Sequence, residues 1–251
     1  MPADPSLVLF ACAWLLAGFV NGVSGMGAAM CALPIVAGSM APQLLIPATC
    51  LMVFVVSLAT AAPYMAYTRW KSLPALLAGA APGAAAGLAV LLVTPAWALQ
   101  LGAGAIMLLF TLWQFFTPSL RPHGDSWPAG LVGGFGSGFV NTSISFGNPP
   151  IAIYALYAGW DKLETMGTMN VCTTITALFT CAAHGMAGLY NAQVMEYALW
   201  GAPATVAGLV LSLPVAKRIN QQTFRKILLV VIGIAGAICV ARGLKAILGW
   251  Q

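Results

Sequence analysis

The chain has 251 residues, of which 61% are hydrophobic and only 6% charged, with a mean hydropathy of +0.92. A soluble domain of this length would carry roughly a quarter charged residues, so the composition excludes a water-soluble globular protein and predicts an all-α polytopic membrane protein in the lipid bilayer. The formal charge of +5 does not point to nucleic acid, because the Lys and Arg residues are scattered between apolar spans, which is the pattern of topology signals.

The start, Met1-Pro2-Ala3-Asp4-Pro5, lacks the basic n-region of a cleaved signal peptide, so the first apolar segment is expected to remain. Val8 to Val20 is apolar, Asn21 to Gly27 interrupts it, and Ala28 to Ala37 is apolar again. These read as two short helical pieces joined at a flexible turn, a hairpin over residues 7–39. Residues 43–67 are long enough to span a bilayer, since about 20 suffice. Pro47 and Pro63 are kink sites within that span, and Arg69-Trp70-Lys71 closes it with a basic and aromatic interface signature. Residues 73–93 carry Gly79, Gly83 and Gly87 at four-residue steps, which allows close helix contact on one face. Residues 95–116 form the next span.

The polar connection Thr117 to Ser126, with Arg121, His123 and Asp125, divides an N-terminal repeat (1–120) from a C-terminal one (127–251). Trp127 to Phe139 and Pro149 to Ala158 repeat the two short pieces as a second hairpin over 127–160, and Asp161-Lys162-Leu163-Glu164 caps the unit. Spans at 165–190, 193–215 and 223–248 follow, the last two separated by a basic loop from Lys217-Arg218 to Arg225-Lys226. Trp70, Trp127, Trp160 and Trp200 fit interfacial belts.

The duplication is visible in the letters. Gly18-Phe19-Val20-Asn21 matches Gly138-Phe139-Val140-Asn141, Gly27 falls on Gly147, and Pro82 and Gly87 have rough counterparts in Pro203 and Gly208. Two crossing patterns compete. If each broken segment crosses fully, Arg69, Lys71, Arg121, Arg242 and Lys245 share one side and the other basic residues lie opposite, with no bias. If each is a re-entrant hairpin, the halves are inverted, and only Arg242 and Lys245 are separated from the rest. The positive-inside tendency favours two inverted repeats, each a broken hairpin plus three transmembrane helices.

Helical backbone broken at membrane depth is tolerated only where protein or a water-filled cavity covers it, and one break per half points to a transporter's binding site. Asn148-Pro149 is a helix-start signal, with Asn as N-cap and Pro at the first helical position. Ser24 is the corresponding cap candidate beside Gly25-Met26-Gly27. Helix N-termini facing the interior would offer free N–H groups to an anion. The neutral donors beside them, Asn21 and Ser24 in one break and Asn141, Thr142, Ser143, Ser145 and Asn148 in the other, suit a small oxyanion, with Gly25, Gly27 and Gly147 shaping the turns. The competing reading is that the glycines and serines only permit close packing.

At these residues, Gly18 to Pro34 and Gly138 to Pro150, the chain resembles the sulfite exporter TauE/SafE family of small bacterial permeases. Gly147-Asn148-Pro149-Pro150 stands where that family typically carries Gly-Gly-Pro-Pro, whereas Ala28-Ala29 and Thr142-Ser143 depart from its pattern. The resemblance implies a multi-pass inner-membrane carrier of sulfite, organosulfonates, or related sulfur or carboxylate anions.

Two rival readings remain open. The same hairpins would also serve an anion channel. Gly22-Val23-Ser24-Gly25 followed by Ala183-His184-Gly185 resembles a rhomboid-type Ser/His dyad, which requires the base within hydrogen-bond reach of the hydroxyl. The repeat argues against a protease, because the counterpart of Ser24 is Ile144. Protons are the candidate coupling ion, through His184 or Glu196. No cofactor motif or metal-ligand spacing occurs. The six cysteines lie in apolar segments and read as small buried hydrophobes, with Cys50 and Cys172, at matching places in the halves, as a candidate thiol pair near the substrate path. No motif specifies the oligomeric state.

Overall fold

Every expected span forms a helix in the computed structural model of the protein, which describes residues 4–25, 27–37, 39–116, 123–216 and 221–248. Among the described residues there are ten α-helices, one 3₁₀ segment and no strand. Seven helical segments are long and apolar enough to cross a membrane. The basic residues Arg121, Lys217 and Arg218 lie outside the described residues, as does most of the polar connection between the halves.

The first helix, α1 (Pro5–Ser24), is 20 residues long, about 30 Å at 1.5 Å per residue. It therefore runs through Asn21, where the sequence suggested a break, and stops only at Gly25. The short α2 (Ala28–Val36) follows and packs against it. Next come α3 (Pro42–Ala61), a 3₁₀ turn (Ala62–Tyr67), α4 (Leu73–Val93) and α5 (Ala96–Phe116). Pro63 marks the change from α to 3₁₀, since a ring without an N–H cannot extend the α ladder. The second half repeats this order with α6 (Trp127–Ile144), α7 (Asn148–Ala158), α8 (Lys162–Met186), α9 (Ala192–Ala216) and α10 (Gln221–Leu248). Here too the helix outlasts the expected break, continuing through Asn141 to Ile144.

Helix α7 folds back on α6. The Gly136 position faces Pro150 and Gly133 faces Tyr154, while the His123 N–H donates to the Tyr157 carbonyl at 2.9 Å. Trp160 does not sit in an interfacial belt. It is 7% exposed, and its Nε1 donates to Asp125 at 2.7 Å, pinning the exit of the hairpin to its entrance. Trp70, Trp127 and Trp200 are exposed, as a lipid interface requires.

Glycine decides the closest contacts. Gly79, Gly83 and Gly87 of α4 meet the carbonyls of Leu131, Phe135 and Phe139 of α6, and Gly134 and Gly138 of α6 meet the carbonyls of Leu76 and Ala80 in return. Two helices approach this closely only where side chains are missing. The pair α1 and α9 is built alike, with Gly18 on the Thr205 carbonyl and Gly208 on that of Leu15. These contacts pair Gly208 with Gly83, one helical turn from the Gly87 that the sequence alignment chose. They also place Thr142 against Gly87 where α6 meets α4 and Ser212 against Gly22 where α9 meets α1, a hydroxyl residue and a glycine with their helices exchanged.

The remaining counterparts pack on each other. On α3 and α8, Thr60 bonds Asn170 at 2.9 Å and the following Arg69 pairs with Glu164 at 3.3 Å, so the two helices run antiparallel. On α5 and α10, Thr111 faces Gly233 and Leu101 faces Gly243, which is again antiparallel. The start of α8 carries a complete capping box. Asp161 accepts from the Glu164 N–H at 2.8 Å and Glu164 accepts from the Asp161 N–H at 3.1 Å.

Candidate functional site

The two breaks are short, from Gly25 to Gly27 and from Ser145 to Gly147. Gly25 (φ 76°) and Ser145 (φ 60°) hold the same left-handed turn, the usual way to end a helix. The chain satisfies its own carbonyls at both ends. Asn21 O accepts from the Gly25 N–H at 2.7 Å, Asn141 O from the Ser145 N–H at 2.8 Å, and Val140 O from the Phe146 N–H at 3.3 Å. The N–H groups that follow are treated differently. Neither α2 nor α7 has a side-chain cap. The first bond into α2 is donated by Cys31 to the Gly27 carbonyl at 3.1 Å, which leaves the N–H groups of Ala28, Ala29 and Met30 without an acceptor among the described residues. In α7, Pro149 and Pro150 have no N–H to offer. The donor-rich end is thus α2, although the Asn-Pro-Pro of α7 is the more conspicuous sequence.

Both breaks open onto one pocket, whose free space of about 410 Å³ includes the solvent at its mouth. Asn21 and Gly27 to Met30 line it from the first half, and Asn141 and Ser145 to Asn148 from the second. Asn170 and Thr173 of α8 and Val53, Val56 and Ser57 of α3 complete the wall. No Lys, Arg, His, Asp or Glu is among the lining residues. The side chain of Asn21 is 4% exposed and has no hydrogen-bond partner among the described residues. Asn148 is the first residue of α7, with Gly147 in the cap position, and its Oδ1 accepts from the Thr173 hydroxyl at 2.9 Å. It orients a neighbour where the sequence suggested a cap. Asn170 accepts from Thr60 at 2.9 Å and donates to the Met166 carbonyl at 2.8 Å.

Of the residues singled out in the sequence, Asn21, Gly27, Asn141, Ser145, Gly147 and Asn148 come together on this wall. Ser24, Gly25, Thr142 and Ser143 stand outside it. Ser24 does not cap α2; its hydroxyl donates back to the Val20 carbonyl at 2.7 Å, and Ser143 does the same to Phe139 at 2.7 Å. Gly25 packs under Met166. Thr142 joins a buried chain in which Thr180 lies 2.9 Å from Thr142 Oγ1 and 3.1 Å from Asn141 Nδ2.

His184 is fully buried and its Nε2 bonds the Thr142 carbonyl at 3.2 Å. A carbonyl only accepts, so Nε2 carries the proton, and Nδ1 has no partner. No hydrogen bond joins His184 to Ser24 among the described residues. Glu196 is exposed near the start of α9. Cys50 and Cys172 are both buried and free. Cys50 lies 3.0 Å from Ser145 Oγ, whereas Cys172 faces Thr176 of its own helix at 3.9 Å.

Asn170, Thr173 and Ser57 were not singled out in the sequence. The density of Thr and Asn along α8, the least hydropathic of the seven candidate spans, was the available signal, because polar residues inside a span turn toward protein or a cavity.

The fold and the cavity define a multi-pass α-helical membrane protein whose broken helices meet at a buried, uncharged polar site. The sequence model of the sulfite exporter TauE/SafE family matches residues 10–238. The chain belongs to that family and is a membrane transporter. No curated protein and no solved structure matches it.

Proposed function

We propose that the protein is a secondary transporter of a small anion, a sulfur oxyanion, organosulfonate or carboxylate, moved across the bacterial inner membrane by alternating access of two inverted repeats. The observation that carries the reading is the shared cavity. Two helix breaks from separate halves line it, the chain caps its own carbonyls there, and three consecutive α2 N–H groups have no acceptor among the described residues. Uncapped N–H groups at a helix N-terminus favour negative charge. With no fixed cation among the described residues of the wall, a bound anion is not held there by a buried ion pair, which suits release on the opposite side.

The inverted arrangement is supported by helix direction. Counterpart helices α3 and α8, and likewise α5 and α10, run antiparallel, as they must if one half is turned over in the membrane. Full crossings would run the counterparts parallel, so the Arg69–Glu164 contact at 3.3 Å favours the inverted reading.

Reconstitution into liposomes tests the proposal. Sulfite, thiosulfate, sulfoacetate and simple carboxylates are offered as substrates, and unlabelled substrate inside is expected to accelerate uptake, as a carrier requires and a pore does not. Asn21→Leu removes an amide that has no partner among the described residues, so it is expected to leave folding intact and lower uptake by roughly tenfold or more. Wild-type rates in Asn21→Leu, or no flux of any of these anions, would refute the reading.

A further inference from the structure

Asn141 is 1% exposed and lines the cavity. Its Nδ2 donates to Thr180 at 3.1 Å, and its Oδ1 has no hydrogen-bond partner. The side-chain oxygens of Asn148 and Asn170 each already accept one hydrogen bond, from Thr173 and Thr60. A buried acceptor without a donor is costly, and the bare oxygens of a fully ionised anion bring only lone pairs to it. The site therefore has two poles, the N–H groups of Ala28, Ala29 and Met30 as donors and Asn141 Oδ1 as an acceptor. Asn21, whose amide has no partner among the described residues, serves either pole. A second full negative charge would find no countercharge among the described residues of this wall, and an unpaired buried charge is strongly unfavourable.

We infer that the ligand is a monoanion that brings its own hydrogen-bond donor, its charged oxygens on the α2 N–H groups and its O–H donated to Asn141 Oδ1. The inference rests on the anion reading above and narrows it. Two sources share this chemistry: an inorganic oxyanion that retains one proton, and a sulfonate that carries a hydroxyl.

Binding to the full-length protein in detergent, followed calorimetrically, separates the outcomes. Isethionate and ethanesulfonate are both permanent monoanions and differ by one hydroxyl. The wild type is expected to bind isethionate roughly tenfold or more tightly, and in Asn141→Leu the ratio of the two affinities is expected to fall to about one. Sulfite is titrated in parallel at several pH values. Its apparent affinity is expected to drop about tenfold per pH unit above its own second ionisation if only the protonated form binds, while the sulfonates stay flat.

A hydroxyl preference alone assigns the sulfonate source, and a pH-dependent sulfite affinity assigns the inorganic one. Equal binding of the two sulfonates together with pH-independent sulfite binding overturns the inference and leaves the anion reading standing. That result is the one expected if the Asn141 amide is turned so that Thr180 donates to it and Nδ2 faces the ligand. Failure of all three ligands to bind overturns the inference, and the anion reading falls with it only if thiosulfate, sulfoacetate and the carboxylates also give no flux. The wild-type comparison decides even if Asn141→Leu does not fold.

Discussion

Ser145 holds the left-handed conformation (φ 60°) at the point in its break where Gly25 (φ 76°) holds it in the other. An L-residue with a side chain is strained there by about 1–3 kcal/mol, and Ser145 uses its hydroxyl to offset the strain. Its Oγ donates to the Ile46 carbonyl at 3.1 Å and lies 3.0 Å from Cys50 Sγ, tying the second break to α3. Ser145→Ala keeps the strain and removes the donor, so it is expected to destabilise by about 1–2 kcal/mol. Ser145→Gly loses the donor but relieves the strain, and the loss should be smaller. Thermal unfolding in detergent checks the order; a less stable Gly variant would contradict it.

The glycines of α4 make a second, independent prediction. A Cβ at Gly83 would stand on the Phe135 backbone, which cannot step aside, whereas one at Gly102 of α5 would meet nothing within 4 Å. Gly83→Val is expected to cost about 1–3 kcal/mol or more, and Gly102→Ala to stay within about 0.5 kcal/mol of wild type. The same unfolding measurement serves, with equal effects at the two sites as the contrary result.

Membrane sidedness tests the proposed inverted repeats. In a Cys12→Ser background, Lys71→Cys and Lys162→Cys should react with an impermeant maleimide from one face of the membrane, and Lys245→Cys from the other. These three positions are exposed. Labelling of positions 71 and 162 from opposite faces would exclude re-entrant hairpins.

The two expected coupling residues separate cleanly. Glu196 is solvent- or lipid-exposed at the start of α9, whereas His184 touches Thr142 at the foot of the second break and has the Tyr190 ring as its titratable neighbour, with centroids 6.4 Å apart. Glu196→Gln is expected to leave the pH dependence of uptake unchanged. His184→Gln, which can still donate to the Thr142 carbonyl, should flatten that dependence if protons move with the anion. An unaltered profile in both variants would mean that the anion's own gradient drives transport.

Much of this architecture was legible from the chain. The Gly79, Gly83 and Gly87 ladder identified a face of close packing because spacing alone puts those positions in register. The repeated Gly-Phe-Val-Asn located Asn21 and Asn141 on a common wall because duplicated letters imply duplicated geometry. The breaks were placed too early, since Asn, Ser and Thr read as interruptions while the helix ran on and its hydroxyls bonded backward to Val20 and Phe139. A cap was expected of Asn148, but Thr173, distant in sequence, claims its oxygen. Trp160 looked interfacial and is buried against Asp125, a contact that composition cannot reveal.

The two prolines that open α7 have a consequence for the transport cycle. They strip amide hydrogens from one member of a duplicated pair while the other keeps its full set. If the outward-facing and inward-facing forms arise by the halves trading conformations, the trade is between unequal partners. The two forms then differ in energy and in grip on the cargo, and the resting population leans toward one side of the membrane before any gradient is applied.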